Sequence, residues 1–474
     1  MSLSNASSPK VAAPHWIYHV LLAAVALIPL PIGGIYQWSW AGMAVLLGGL
    51  LAAWALALWQ RPALAIFIPS PWRPDGLLLP GSLFLLVVLW TAVQAAPLGL
   101  GPSEVWDTAA EVLEPAVVGS ISLAPEKTRA GTIQLLTFGA IFWLAVQFGR
   151  DPVMARRGLW TLVVAGQIYA LYGLAMVLTG SEKVLWFDKT SYQGSVTGPY
   201  VNRNMYAFYA GLGLLSTCSL LLGHIAAAQR KTGAFLRAAR LALVTDANQM
   251  VCLLVAALIY LLTIGYTESR GGALSSAFAV AVMVVAMVLR QPLHGAQRWW
   301  LSAVSLIVVG LMAYTITGAH LDGRFESHYF DDGGRLKAYG VVLAAIADAP
   351  WQGYGYGAFA EAFFHRNDGA VWLAYNYAHN LYLGAAAQLG LPATAVLFAT
   401  VLLIATACAR GVGRRRRYPA FPALGLGVTV LAATHGLVDS PLFVPANAMT
   451  FSFVLGLAYA QAFPAWRPRH SNAP

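Results

Sequence analysis

Apolar runs of about bilayer length alternate along the chain with short polar segments. Twelve stand out, at roughly 16–36, 38–58, 77–97, 130–149, 158–179, 204–226, 250–268, 272–289, 299–317, 380–408, 421–437 and 447–463. A helix needs about 20 apolar residues to cross the hydrocarbon core. The pattern therefore predicts an all-α fold, a polytopic membrane helical bundle of about twelve transmembrane helices. It divides the chain into 1–317, carrying nine helices on short loops, a large polar loop at 318–379, and 380–474, carrying the last three. The tightest spacing is at Ser269-Arg270-Gly271-Gly272, where two runs nearly touch.

Composition agrees with that pattern. The chain is 58% hydrophobic and 10% charged, where a soluble domain carries roughly 25% charged residues. A soluble protein is thereby excluded. The N-terminal stretch lacks a basic region followed by a cleavage site, so the first apolar run is expected to be retained as a span. Cys218, Cys252 and Cys408 all fall inside apolar runs, which argues against a disulfide framework or a zinc site.

The formal charge of +10 is explained by its distribution. With the N-terminus inside, the inner segments hold 19 of the 29 basic residues and 3 of the 19 acidic ones. That is the lysine and arginine bias of a membrane topology, not a nucleic-acid footprint. Arg414 to Arg417 read as a stop-transfer anchor that also meets anionic lipid. Two outer segments are long. Residues 98–129 are acidic; in 318–379 a helix is predicted over Arg335 to Ala349, stopped by Pro350. Gly353, Gly355 and Gly357 then alternate with Tyr354 and Tyr356 as a tight turn. It lacks the Lys-Ser/Thr of a nucleotide loop.

The candidate chemistry lies on the outer face. His379, in Tyr377-Ala378-His379-Asn380-Leu381-Tyr382, opens an apolar run where a structural span would carry Leu or Val. An imidazole there is dry on one side and reachable by a water-soluble substrate on the other. It is read as the reactive centre of a membrane enzyme, against the alternative of an interfacial histidine satisfied by a backbone carbonyl. Arg203, Arg270 and Arg335 fall on the same face. Arginine offers a planar fork matched to phosphate oxygens. Gly-Gly beside Arg270 and Arg335 would let backbone approach a ligand, and a helix start at Arg335 would add amide donors. Together they could hold a pyrophosphate at headgroup level. The alternative makes them interfacial arginines paired with Glu268, Asp331 or Asp332. Asn202, Asn380 and Tyr377 are further candidate substrate contacts, and Tyr375, Tyr382, Trp351 and Trp372 could stack on sugars. His435 and Asp439 provide either a second polar site or a helix cap. No metal site and no cofactor is expected from the spacing of His, Asp and Glu.

Several of these segments resemble the O-antigen ligase/polymerase superfamily of bacterial polytopic membrane proteins. They are Gly-Pro-Tyr-Val-Asn-Arg-Asn at 198–204, Ser-Arg-Gly-Gly at 269–272, Gly-Arg at 334–335 with Ala-Pro-Trp-Gln-Gly-Tyr-Gly-Tyr-Gly at 349–357, Ala-His-Asn-Leu-Tyr-Leu at 378–383, and Gln-Leu-Gly-Leu at 388–391. Leu381 departs from the acidic or polar residue usual after the histidine-asparagine pair. The resemblance implies a metal-independent glycosyltransferase of the bacterial inner membrane, active on the periplasmic side. Its donor would be an undecaprenyl-diphosphate-linked glycan, and the family's two arginines and histidine would be Arg270, Arg335 and His379. The acceptor would be lipid A core, a growing polysaccharide (a polymerase), or a protein (an O-oligosaccharyltransferase). A lipid-linked glycan transporter is the non-enzyme alternative. It would call for polar, broken helices at mid-depth and repeat symmetry, whereas the polar residues here gather at one face.

Overall fold

The structure, a computed structural model, describes residues 14–60, 76–100, 103–112, 118–232, 235–290, 310, 329–369, 371 and 375–463. Apart from residue 310, the predicted span at 299–317 lies outside them, as does Trp372. The described residues form sixteen α-helices and a two-stranded hairpin. In chain order these are α1 His15–Leu27, α2 Gln37–Gln60, α3 Leu78–Ala95, α4 Ser103–Val112, α5 Pro125–Gly149, α6 Pro152–Leu178, β1 Lys183–Val184, β2 Phe187–Asp188, α7 Arg203–Thr232 and α8 Phe235–Thr245. There follow α9 Ala247–Tyr266, α10 Arg270–Leu289, α11 Tyr329–Asp348, α12 Phe359–Arg366, α13 Leu381–Leu389, α14 Leu391–Arg414, α15 Ala420–His435 and α16 Pro445–Ala462.

Among the described residues eight helices, α2, α3, α5, α6, α7, α9, α10 and α14, are long and apolar enough to cross a membrane. Their outer faces carry exposed large apolar side chains such as Val45, Leu89, Leu254 and Leu402. In water that surface would be untenable; in lipid it is what a span presents. Two other predicted spans are shorter. The apolar run at 16–36 is helical only to Leu27, because Pro29 and Pro31 remove backbone donors and a 3-10 turn follows at Ile32–Gly34. The run at 421–437 is the 16-residue α15.

α16 is the inner pillar. It packs against α5, α7, α14 and α15 and is buried around its whole circumference. A helix that meets only protein can carry polar side chains if each finds a partner. Asn447 accepts from Tyr200 Oη (3.0 Å) and donates to Met205 O (3.0 Å), and Gln461 donates to Gly149 O (2.7 Å).

The run at 380–408 is not one helix. It breaks at Gly390, whose φ of +78° suits glycine, and Pro392 then starts α14 in the first turn, where a missing amide costs nothing. The glycine turn of the large loop fits into this break. Tyr354 N donates to Ala387 O (3.0 Å) and Gly355 N to Gln388 O (2.9 Å), so the turn satisfies carbonyls that the end of α13 leaves open. Gly357 N donates to Gln388 Oε1 (2.6 Å), and Gln94 of α3 donates to Gln352 O (2.7 Å) and Gln388 O (2.9 Å). A Cβ at Gly353 would collide with Gln388 O, and one at Gly355 with Ser122 Oγ. The expected tight turn is present, and its glycines serve backbone packing.

Candidate active site

Residues 378–383 and 433–440 are stitched together side by side. Leu381 N donates to Gly436 O (2.8 Å), Asn380 Nδ2 to Leu437 O (3.1 Å) and Tyr382 Oη to Ala433 O (2.9 Å). Asn380 also caps α13, its Oδ1 accepting from Tyr382 N and Leu383 N (both 3.0 Å). Its side chain is therefore spent on the fold. The clamp fixes His379 in a left-handed conformation, φ +49°, which a residue with a Cβ adopts only when its surroundings impose it. Tyr339 Oη of α11 holds the His379 carbonyl at 3.1 Å.

The imidazole that results is partnered on one side and open on the other. His379 Nδ1 lies 3.0 Å from Asp439 Oδ1; the histidine side chain is 23% exposed and the carboxylate 1%. Asp439 also accepts from Asn204 Nδ2 (2.8 Å) and Ser440 N (2.8 Å). Burial pushes its carboxyl up, but the His379 hydrogen bond and charge, the charge of His435 and the Ser440 amide outweigh this, leaving it below its ordinary value. A carboxylate only accepts, so His379 Nδ1 carries the hydrogen. In the neutral ring Nε2 is then the basic nitrogen. This is the orientation a general base requires, with Asp439 setting the tautomer.

Sequence spacing sets Asp439 beside His435, but the histidine it bonds lies 60 positions away. His435 is buried against Phe208, and its Nδ1 has no hydrogen-bond partner among the described residues. The two do not form a site of their own. Asn204 and Tyr339, which the sequence did not single out, are positioning residues for the dyad.

Arg270 is the first residue of α10. Ser269 Oγ caps the helix by accepting from Gly272 N (3.1 Å), and Ala273 N bonds Ser269 O (2.9 Å). The Arg270 and Gly271 amides are thus left without intrahelical acceptors, a favourable place for an anion. Arg270 is exposed and forms no ion pair with any described residue. The adjacent glycines do not leave room for a ligand, contrary to expectation. A Cβ at Gly271 would fall 2.6 Å from Val438 Cγ2, and one at Gly272 2.5 Å from Ala207 Cβ. They allow the start of α10 to close on α7 and on the 437–439 turn. That turn is thereby held between Arg270 and the His379–Asn380 segment.

Arg335 lies on α11, with its side chain outside the described residues. α11 begins at Tyr329 and not at Arg335, the expected start, so Arg335 is its seventh residue and lies past the first-turn amides. Tyr339 follows four residues later, so Arg335 shares a helix face with the residue that holds His379.

Arg203, the first residue of α7, already has a counter-ion. Its guanidinium is 3.0 Å from Glu268 Oε2 and 3.2 Å from Ser195 Oγ, and 5.3 Å from the Tyr192 ring centre. The alternative stated for it, pairing with Glu268, is the arrangement found. Asn202 caps α7 through Oδ1, which accepts from Asn204 N (2.7 Å). Tyr377 stacks on Phe443 at 6.2 Å, Tyr375 meets the His379 ring edge-on at 5.9 Å, and Trp351 is 73% exposed.

An apolar cavity of about 1170 Å³ lies between α3, α5, α13, α14, α15 and α16. Leu381 and Tyr382, directly after the His379–Asn380 pair, line it together with Phe84, Trp143, Phe443 and Phe451.

No curated protein matches the chain. Residues 255–398 match the family model described as O-Antigen ligase, a stretch that holds Arg270, Arg335 and His379 but not Asp439, and this match, with the eight long apolar helices, supports a multi-pass membrane protein of the O-antigen ligase/polymerase superfamily.

Proposed function

We propose that the protein is a periplasmic-face glycosyltransferase that moves a glycan from undecaprenyl diphosphate to a hydroxyl of lipid A core. The observation that carries this reading is the His379–Asp439 pair, set just before Leu381 and Tyr382, which line the apolar cavity. A lipid-linked donor is half isoprenoid and half charged sugar diphosphate, and this site offers matching halves. The cavity would take the hydrocarbon, and the diphosphate would lie at the start of α10. The ligase description of the matched family supports this choice of acceptor over a growing polysaccharide or a protein.

In the proposed step, His379 Nε2 takes the proton of the acceptor hydroxyl as its oxygen bonds to the anomeric carbon. The bond from that carbon to the diphosphate oxygen breaks, and undecaprenyl diphosphate leaves with the electron pair. Arg270 and Arg335 offset the negative charge that builds on it. Asp439 stabilises the imidazolium, which returns its proton to solvent or to the departing diphosphate. The chemistry is proposed to need no divalent metal.

The test is transfer from purified lipid-linked donor to purified core acceptor in EDTA. Product should form at the wild-type rate with release of undecaprenyl diphosphate. Arrest by EDTA, restored by a divalent cation, would give the metal the charge assigned here to the arginines. The assigned side is checked by impermeant thiol labelling of single cysteines in intact cells, which should reach position 365 and spare position 415.

A further inference from the structure

Between α6 and α7, on the side of the molecule that bears His379, the chain forms the β1–β2 hairpin, with Lys183 opposite Asp188 and Val184 opposite Phe187. Val184 is buried, while Trp186 is 74% and Phe187 44% exposed, their rings 5.7 Å apart. Isolated exposed aromatics need no explanation. The height at which these two are held does.

The hairpin folds back along α6. Leu185 N donates to Tyr172 Oη (2.6 Å), and Tyr172 precedes the end of α6 by six residues, or about 9 Å at 1.5 Å per residue. The next residue, Gly173, faces Val196 and Gly198, where a Cβ would fall 2.8 Å from Val196 Cγ1. Val196 N in turn donates to O of Tyr266, the last residue of α9 (2.8 Å). The hairpin is therefore within one tyrosine side chain of α6 at Tyr172, six residues before that helix ends, and the segment that follows it meets the end of α9. Alongside, Leu171 and Ile168 are 53% and 60% exposed on α6, which has the length and hydropathy of a span. The tip also has a fixed backbone. Lys189 N bonds Glu182 O (2.8 Å), Lys189 Nζ donates to Ser195 O (2.8 Å), and Gly194 N donates to Glu182 Oε1 (2.9 Å).

We propose that this hairpin is an interfacial anchor, with Trp186 and Phe187 seated in the headgroup–acyl boundary of the phospholipid leaflet on the His379 side. Aromatic rings favour that boundary, and the exposed Lys183 and Asp188 lie on the strands behind them. A sugar-stacking platform would stand clear of the span ends, in water. The anchor has a consequence for the site. Ser195 of the same segment donates to Glu268 Oε2 (2.9 Å), the carboxylate paired with Arg203. A hairpin seated in the leaflet thus sets the depth of the α7 and α10 starts. The inference rests on the multi-pass membrane fold and not on the transferase chemistry, so either can fail without the other.

The test places a nitroxide at Trp186→Cys or Phe187→Cys, with the three native cysteines replaced by alanine, in phosphatidylethanolamine–phosphatidylglycerol vesicles. Accessibility to oxygen is compared with that to a water-soluble nickel chelate, taking labels at Leu171→Cys and His365→Cys as lipid and water references. Both hairpin labels should favour oxygen at least tenfold more than the label at 365. A ratio equal to that at 365 overturns the proposal. Should the alanine background fail to fold, bromolipid quenching in the native-cysteine protein decides. Trp186→Phe should reduce the emission quenched by lipids brominated high on the acyl chain, and an unchanged quenched component overturns the anchor.

Discussion

Two helices on the His379 side begin with an arginine, α7 at Arg203 and α10 at Arg270, and the two residues differ in what faces them. Arg203 is about one-fifth exposed, with Glu268 at 3.0 Å, so its charge is balanced within the fold and joins the α7 start to the α9–α10 turn. Arg270 is exposed, pairs with no described carboxylate, and adjoins the 437–439 turn that presents Asp439 to His379. An arginine at the head of an apolar run is thus no site in itself. The charge that no described carboxylate balances is the one available to a ligand.

The comparison is broken most forcefully at the base that both helix starts surround. His379→Ala should lower transfer by about 10³-fold or more, within the range of a lost general base. Asp439→Asn should approach that loss, because an amide no longer fixes Nδ1–H. Both are read as initial rates on protein whose melting temperature is checked in parallel. The second substitution also tests the lowered Asp439 carboxyl. A group held below its unfolded value stabilises the fold above that value and loses the contribution as pH falls through the folded one. Asp439→Asn should therefore remove part of the wild-type loss of melting temperature in acid.

Arg270→Ala should cost about 2–4 kcal/mol of transition-state stabilisation, roughly a hundredfold in rate. Arg270→Lys keeps the charge without the fork and should fall between. Arg203 should behave differently. Arg203→Gln or Glu268→Gln strands one charge in a half-buried place, for a loss of about 1–3 kcal/mol of stability, between exposed and buried pairs. The double variant should recover most of the melting temperature, with transfer reduced less than tenfold throughout. An Arg203→Gln variant that melts normally yet transfers a hundredfold more slowly would erase the distinction.

Much of this was legible in the sequence, and what was not shares one physical cause. Hydropathy marks where a chain can cross lipid, so α2, α3, α5, α6, α7, α9, α10 and α14 were found by length and composition. Hydropathy is blind to a break whose flanks are both apolar, as at Gly390, although Gly-Leu-Pro there was a readable start signal for α14. His379 and Arg270 stood out as polar residues at the mouths of apolar runs. Asp439 did not stand out as a partner, because a contact across 60 residues leaves no periodic trace. The roles of Asn202 and Asn380 as helix caps are legible in their positions just before apolar helices.

The division of labour between His379 and Arg270 is tested most directly by donor binding without acceptor, measured with purified undecaprenyl-diphosphate-linked glycan. His379→Ala should bind donor as tightly as wild type while transferring none of it, and Arg270→Ala should bind at least tenfold more weakly. Wild-type donor affinity in Arg270→Ala, with the loss confined to acceptor dependence, would contradict the account.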